Sequence, residues 1–146
     1  MSRTPQTYDL KDISSPLTLK DGDVLTGTLI NNVKISIAAG ATVTLDNVSI
    51  NANGTWTTSN YAGLTCEGDA IIILKDGSTN AVKGFQGSYP GIYIPKDHLL
   101  TIQGETAGTG ALEASSGIGD TGSTGAGIGG GYGLECGNID IQYIKR

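Results

Sequence analysis

Short runs in which apolar and polar positions alternate recur along the chain, and three series of them keep step. Val43-Thr44-Leu45 returns as Ile71-Ile72-Ile73, as Leu100-Thr101-Ile102 and as Ile139-Asp140-Ile141, with steps of 28, 29 and 39 residues between first positions. A second series places apolar residues at Ile35, Leu64, Ile92 and Ile128, with steps of 29, 28 and 36. A third and looser series runs through Val48 and Ile50, then Val82, then Leu112, then Tyr143 and Ile144. Alternation with a period of two marks strands that bury one face, and self-similarity at a fixed period of tens of residues marks stacked repeats. No window sustains a 3.6-residue period without being cut by Gly or Pro. The pattern predicts an all-β chain: a right-handed single-stranded parallel β-helix, or solenoid. It has three short strands per rung, about 28 residues per rung and about four rungs.

Each corner between such strands needs tight and often left-handed backbone, which Gly, Asn and Asp adopt at least steric cost. Asn53-Gly54, Asp76-Gly77 and Gly129-Gly130-Gly131 stand where corners are expected. The extra residues of the last repeat fall between Leu112 and Gly127, in SSGIGDTGSTG, a loop by composition. Residues 17–31 read as an irregular first rung and residues 1–16 as a cover for its open end, as solenoids require. The whole of 1–146 reads as one domain, with 1–31 as cap and first rung and 32–146 as regular rungs. The strand-like run that ends at Lys145-Arg146 leaves its rung uncovered, so the expectation is a piece of a longer repeat protein or end-to-end self-association through that rung.

Composition narrows the partners. Twenty-three glycines stand against one Phe, one Trp and one Met, so aliphatic and small residues must fill the core. The net charge of −5, with scattered basic residues, argues against nucleic acid. The longest apolar run, Ala70 to Leu74, is far short of the roughly 20 residues of a membrane span. The first ten residues lack the apolar segment of a secretory leader. Cys66 and Cys136 match no metal spacing. Both precede strands of the Val43 series, two rungs apart and therefore about 10 Å apart; that exceeds the roughly 7 Å Cα limit of a disulfide, so two free thiols are expected.

The phrases GDAIIILKDGSTNAVKG, YPGIYIPKDHLLTIQG and GAGIGGGYGLECGNIDI resemble a family of secreted or surface-anchored repeat proteins of gut bacteria, in Bacteroidales and Firmicutes, over roughly residues 17–142. The resemblance implies a β-helix at the cell surface or outside the cell, often labelled carbohydrate-binding.

Several sites compete for a chemical role. Gly125 to Gly130 matches GxGxxG, but turn and strand follow in place of the helix that a dinucleotide site needs. Calcium-binding glycine-rich repeats need an Asp in each repeat, and none lies between Asp120 and Asp140. Neither a cofactor nor a metal is expected. Polysaccharide hydrolases and lyases work with clustered carboxylates, whereas here they are spread out, with Glu67/Asp69 the best local pair. Stacking is expected to bring Asp69 near His98, the only histidine. The aromatics carry more. Trp56 and Tyr61 lie in one long connection, Tyr89 and Tyr93 in the matching one a rung later, so stacked loops gather Trp56, Tyr61 and Tyr89 along one edge beside Asn60 and Thr57. Flat rings beside amides and hydroxyls suit sugar faces; the competing role is to cover the core. The sequence thus points to a non-catalytic surface or adhesive module that binds glycan through Trp56, Tyr61, Tyr89 and Asn60. A polysaccharide-degrading enzyme and a structural spacer are the alternatives.

Overall fold

The computed structural model describes residues 4–51, 60–86, 89–117, 126–130 and 135–142, and strands dominate them. In chain order these are β1 (Thr7–Asp9), β2 (Leu17–Leu19), β3 (Val24–Thr28), β4 (Ile35–Ile37), β5 (Thr42–Ile50), β6 (Leu64–Cys66) and β7 (Ala70–Leu74). They continue as β8 (Thr79–Lys83), β9 (Ile92–Tyr93), β10 (Leu99–Gly104), β11 (Ala111–Ser115), β12 (Ile128–Gly129) and β13 (Asn138–Gln142). The one helical element among the described residues is a 3₁₀ turn at Leu10–Asp12. The protein is all-β, and every pairing among these strands is parallel.

Two sheets take the strands. The first runs β1-β3-β5-β7-β10-β13, and the second runs β2-β4-β6-β9-β12. The first sheet forks at β5, whose end, Ser49 and Ile50, pairs with Ala81 and Val82 of β8; β8 in turn pairs with β11. Asn47 makes the fork. It has φ +58° and sits where the β3–β5 register jumps from Asp46 to Val48, and asparagine is among the few side-chain-bearing residues that tolerate this left-handed backbone.

Inward-facing residues from both sheets and the branch form one apolar cluster. Val43, Leu45 and Ile72 meet Ile35, Ile37, Leu64 and Ile92, with Ile50 and Val82 closing the third side, all 1% exposed or less. The Ile35, Leu64, Ile92, Ile128 series is adopted as expected: Ser36 pairs Thr65, Leu64 pairs Ile92, and Ile92 pairs Ile128. The Val43 series is shifted by one. Val43 pairs Ile72 and not Ile71, and Leu100 pairs Ala70. A one-residue slip exchanges the two faces of a strand, so Ile72 is buried while Ile71 is 37% exposed. Three consecutive isoleucines conceal which of them faces inward, and the flanking Ala70 and Leu74 settle it, since both are buried. In the third series Ala114, not Leu112, stands beside Val82, and Leu112 pairs Asn80. Tyr143, Ile144, Asn53-Gly54, Gly131 and most of SSGIGDTGSTG lie outside the described residues.

The amino-terminal part is also arranged differently from the expectation. Thr7 pairs Val24, Leu17 pairs Ile35, and Val24 pairs Thr44, steps of 17 to 20 residues in place of 28, and past the register jump Gly27 and Thr28 of β3 pair Val48 and Ser49, the end of β5 that goes on to meet β8. Residues 7–12 extend the first sheet with β1 and then turn Leu10 into the core, where it is fully buried. At the other end the inward column Val43, Ile72, Ile102, Ile141 rises from buried to 69% exposed at Ile141.

Short polar side chains at the corners tie one pass of the chain to the next. Thr42 N–H donates to Asp21 (2.8 Å), Thr79 N–H to Asn47 (2.9 Å) and Leu99 N–H to Asp69 (2.9 Å). Asp76 accepts from the backbone N–H groups of Thr106, Ala107, Gly108 and Thr109, at 2.8–3.5 Å. Gly77 beside it has φ +77°, the left-handed corner expected there. Each such side chain satisfies strand-end donors that would otherwise lack a partner. That is why Asp and Asn, and not merely any polar residue, recur at these positions.

Candidate functional site

Tyr61, Tyr89 and Asn60 line one cleft of ≈ 210 Å³ at the second sheet, together with Tyr93, Thr65, Lys34, Ala62 and Pro90. The structure therefore brings together three of the four residues singled out from the sequence. The fourth, Trp56, and its neighbour Thr57 lie outside the described residues.

Each wall of the cleft is held by identifiable contacts. The Tyr61 ring packs edge-to-face on buried Phe85, with centroids 5.1 Å apart and planes at 69°, and its hydroxyl donates to Asn32 O (2.6 Å). Tyr61 thus does part of what the competing role required, since it covers core, but it stays half-exposed and lines the cleft. Tyr89 stands on the connection from Gly84 to Gly91. Phe85 N–H donates to Tyr61 O (3.2 Å), Tyr89 N–H to Gln86 O (2.9 Å) and Gly117 N–H to Tyr89 O (3.2 Å). The chain can approach its neighbours closely at Gly84 and Gly91 because these residues lack side chains. A Cβ on Gly84 would run into the carbonyl oxygens of Tyr89 and Pro90, and one on Gly91 into that of Val82, 2.5 Å away. Asn51, with φ +52°, bonds Gly84 O through its amide (3.0 Å) from the preceding pass.

Sequence reasoning placed Tyr93 in a connection, whereas it lies on β9 beside Thr65 of β6. Both follow an inward residue, Ile92 and Leu64, so strand alternation turns them outward. That alternation was a signal available in the sequence for Thr65 and Tyr93. For Lys34, which reaches the cleft from the pass before, no sequence signal stands out. A tyrosine ring can pack on the C–H surface of a sugar, and an amide or hydroxyl such as those of Asn60 and Thr65 can bond its hydroxyl groups.

The expected approach of Asp69 and His98 is present on the outer face of the first sheet, with His98 Nδ1 3.1 Å from Asp69 Oδ1. The Leu99 N–H, and after it His98, hold the Asp69 carboxyl below its ordinary range. A general acid needs the opposite shift. Among the described residues Asp69 is the sole carboxylate lining the shallow depression there, which it shares with Gly40, Ala70, Ile71, Leu99 and Thr101. Glycoside hydrolysis commonly takes two carboxylates across the bond. Asp69 reads as a corner residue that ties Leu99 down.

Both cysteines are free, as expected. Cys66 points into the core from β6, and burial pushes its thiol up to about 12, whereas Cys136 is exposed. Among the described residues no group of three or more His, Cys, Asp and Glu is placed to hold a metal ion. No helix among them is long and apolar enough to cross a membrane. Comparison of the chain with protein-family models, with curated proteins and with solved structures finds no match.

Proposed function

We propose that this chain is a right-handed parallel β-helix that serves as a non-catalytic carbohydrate-binding module at a bacterial cell surface or outside the cell. The coil is supported by the strict return of the chain to each sheet, always to the neighbouring parallel position. Parallel crossovers within one sheet are right-handed almost without exception. In this coil β3 and β5 each run on past a register jump and serve two faces, and from β6 onward separate strands serve three. The surface location rests on the resemblance of the repeat phrases to surface-anchored proteins of gut bacteria.

One observation carries the binding reading: Tyr61, Tyr89 and Tyr93, from two successive coils, share a single cleft with the amide of Asn60 and the hydroxyl of Thr65. Convergent rings with a few polar groups are what a sugar ring requires. The cleft sits on bonded backbone, so little ordering is needed when a glycan arrives. A glycan array read with the intact chain and with Tyr89→Ala and Tyr93→Ala tests this. Binding is expected for the intact chain and is lost in both variants, with circular dichroism unchanged. Full retention of binding in both variants overturns the assignment of the cleft, and an array without hits favours a structural spacer.

A further inference from the structure

We infer that the sugar taken by the tyrosine cleft carries a carboxylate, as uronic and sialic acids do, and that Lys34 is the residue that selects it; this rests on the carbohydrate-binding reading of the same cleft. Lys34 is exposed at the cleft, and its place is set by β2, the parallel neighbour of β4. Its own carbonyl accepts from Leu17 N–H (3.0 Å), and Ile35 next to it is fully buried. Among the described residues Lys34 has no ion-pair partner; the cations that do, Lys11, Lys96 and His98, are elsewhere. Among the described residues no Asp or Glu lines the cleft.

The charge pattern is the opposite of the molecule's. The chain has 14 acidic against 9 basic residues and a net charge of −5. A concavity with one ammonium and no carboxylate therefore departs from its surroundings, and it does so where three tyrosines gather. A neutral sugar makes no use of that ammonium. A ring-borne carboxylate complements it while the ring itself lies against the tyrosines, which displace water and strengthen the pair. The other role for Lys34 is to lay its stem over the rings, which gives no preference for charge.

The test compares oligosaccharides that differ only in charge, such as an oligogalacturonate and its methyl ester, and sialylated glycans with their desialylated forms. The intact chain is expected to bind the acidic member of a pair about five-fold more tightly at low ionic strength, the scale of one partly exposed ion pair. The preference shrinks toward unity in 1 M salt, where the Debye length is about 3 Å. Lys34→Gln removes the preference, whereas Lys20→Gln, outside the cleft, retains it. Equal binding of acidic and neutral members, or a preference that survives Lys34→Gln, overturns this inference and leaves the carbohydrate reading standing. No binding to either member of any pair, with the array also blank, overturns both.

Discussion

Replacement of Asn80 by Ala tests how successive strands are held together. Asn80 is 1% exposed, and its side chain reaches three segments of the chain. It accepts from Val48 N–H of β5 (2.8 Å), donates to Ala111 O of β11 (3.0 Å) and donates to Ser78 Oγ within its own corner (2.9 Å). In Asn80→Ala, Val48 N–H is left buried without a partner, a cost of about 1–3 kcal/mol. The two donated bonds add about 0.5–1.5 kcal/mol each. Ser78 keeps its bond to Lys75 O (2.7 Å) and Ala111 is exposed to water, so both of these fall at the low end. The total expected is about 2–4 kcal/mol, a large part of the 5–15 kcal/mol that holds a domain folded. Urea unfolding followed by circular dichroism reads it. With a slope of about 2 kcal/mol/M, a loss of 3 kcal/mol moves the midpoint by about 1.5 M. Asn80→Asp is the companion variant, since it keeps the acceptor for Val48 N–H, loses both donated bonds and buries a charge. It is expected to be destabilised at neutral pH and to recover in part as the new carboxyl is protonated. A midpoint shift for Asn80→Ala that corresponds to less than about 1 kcal/mol refutes the view that this side chain bridges β5 and β11.

Other outcomes follow from the same structure. Ile72→Ala is expected to cost about 2–5 kcal/mol and Ile71→Ala less than about 1 kcal/mol by urea midpoint, and the reverse order means that the register of β7 is wrong. A thiol reagent is expected to titrate Cys136 at once and Cys66 only on unfolding; two fast thiols place Cys66 outside the core. Backbone donors hold the Asp76 carboxyl below its ordinary range. Its stabilising effect is therefore complete above the usual carboxylate range, near pH 4, and is lost as the pH falls through the depressed value. Asp76→Asn is expected to flatten the fall of melting temperature as the pH drops below about 4, and a profile that falls as steeply as the parent's removes Asp76 as a contributor. Gly84→Ala is expected to displace the Tyr89 connection and weaken glycan binding more than it alters strand content; unchanged binding shows that the connection tolerates a Cβ.

Much of the strand framework was legible in the sequence because burial on one face enforces alternation, and stacking enforces its return at a fixed step. The Ile35, Leu64, Ile92, Ile128 series needed nothing more, since polar or small neighbours leave one choice of inward residue. Corner chemistry was legible too, in Asp76-Gly77 and in the approach of Asp69 to His98. Four things were decided only in three dimensions. The register of β7 was one, because Ile71, Ile72 and Ile73 are equally apolar and only Ala70 and Leu74, packed inward, choose among them. The fork at Asn47 was another, since a left-handed residue inside a continuous run breaks no hydrophobic pattern. The third was the shorter step of the amino-terminal passes, where β3 and β5 run on through a register jump that leaves no mark in the apolar pattern. The last was the composition of the cleft. Tyr61 and Tyr89 were found from their matching connections, but Tyr93 comes from a strand and Lys34 from an earlier coil. Residues about 30 and 60 positions apart become neighbours through parallel stacking, and a periodic sequence records that such stacking occurs without recording which outward side chains it makes converge.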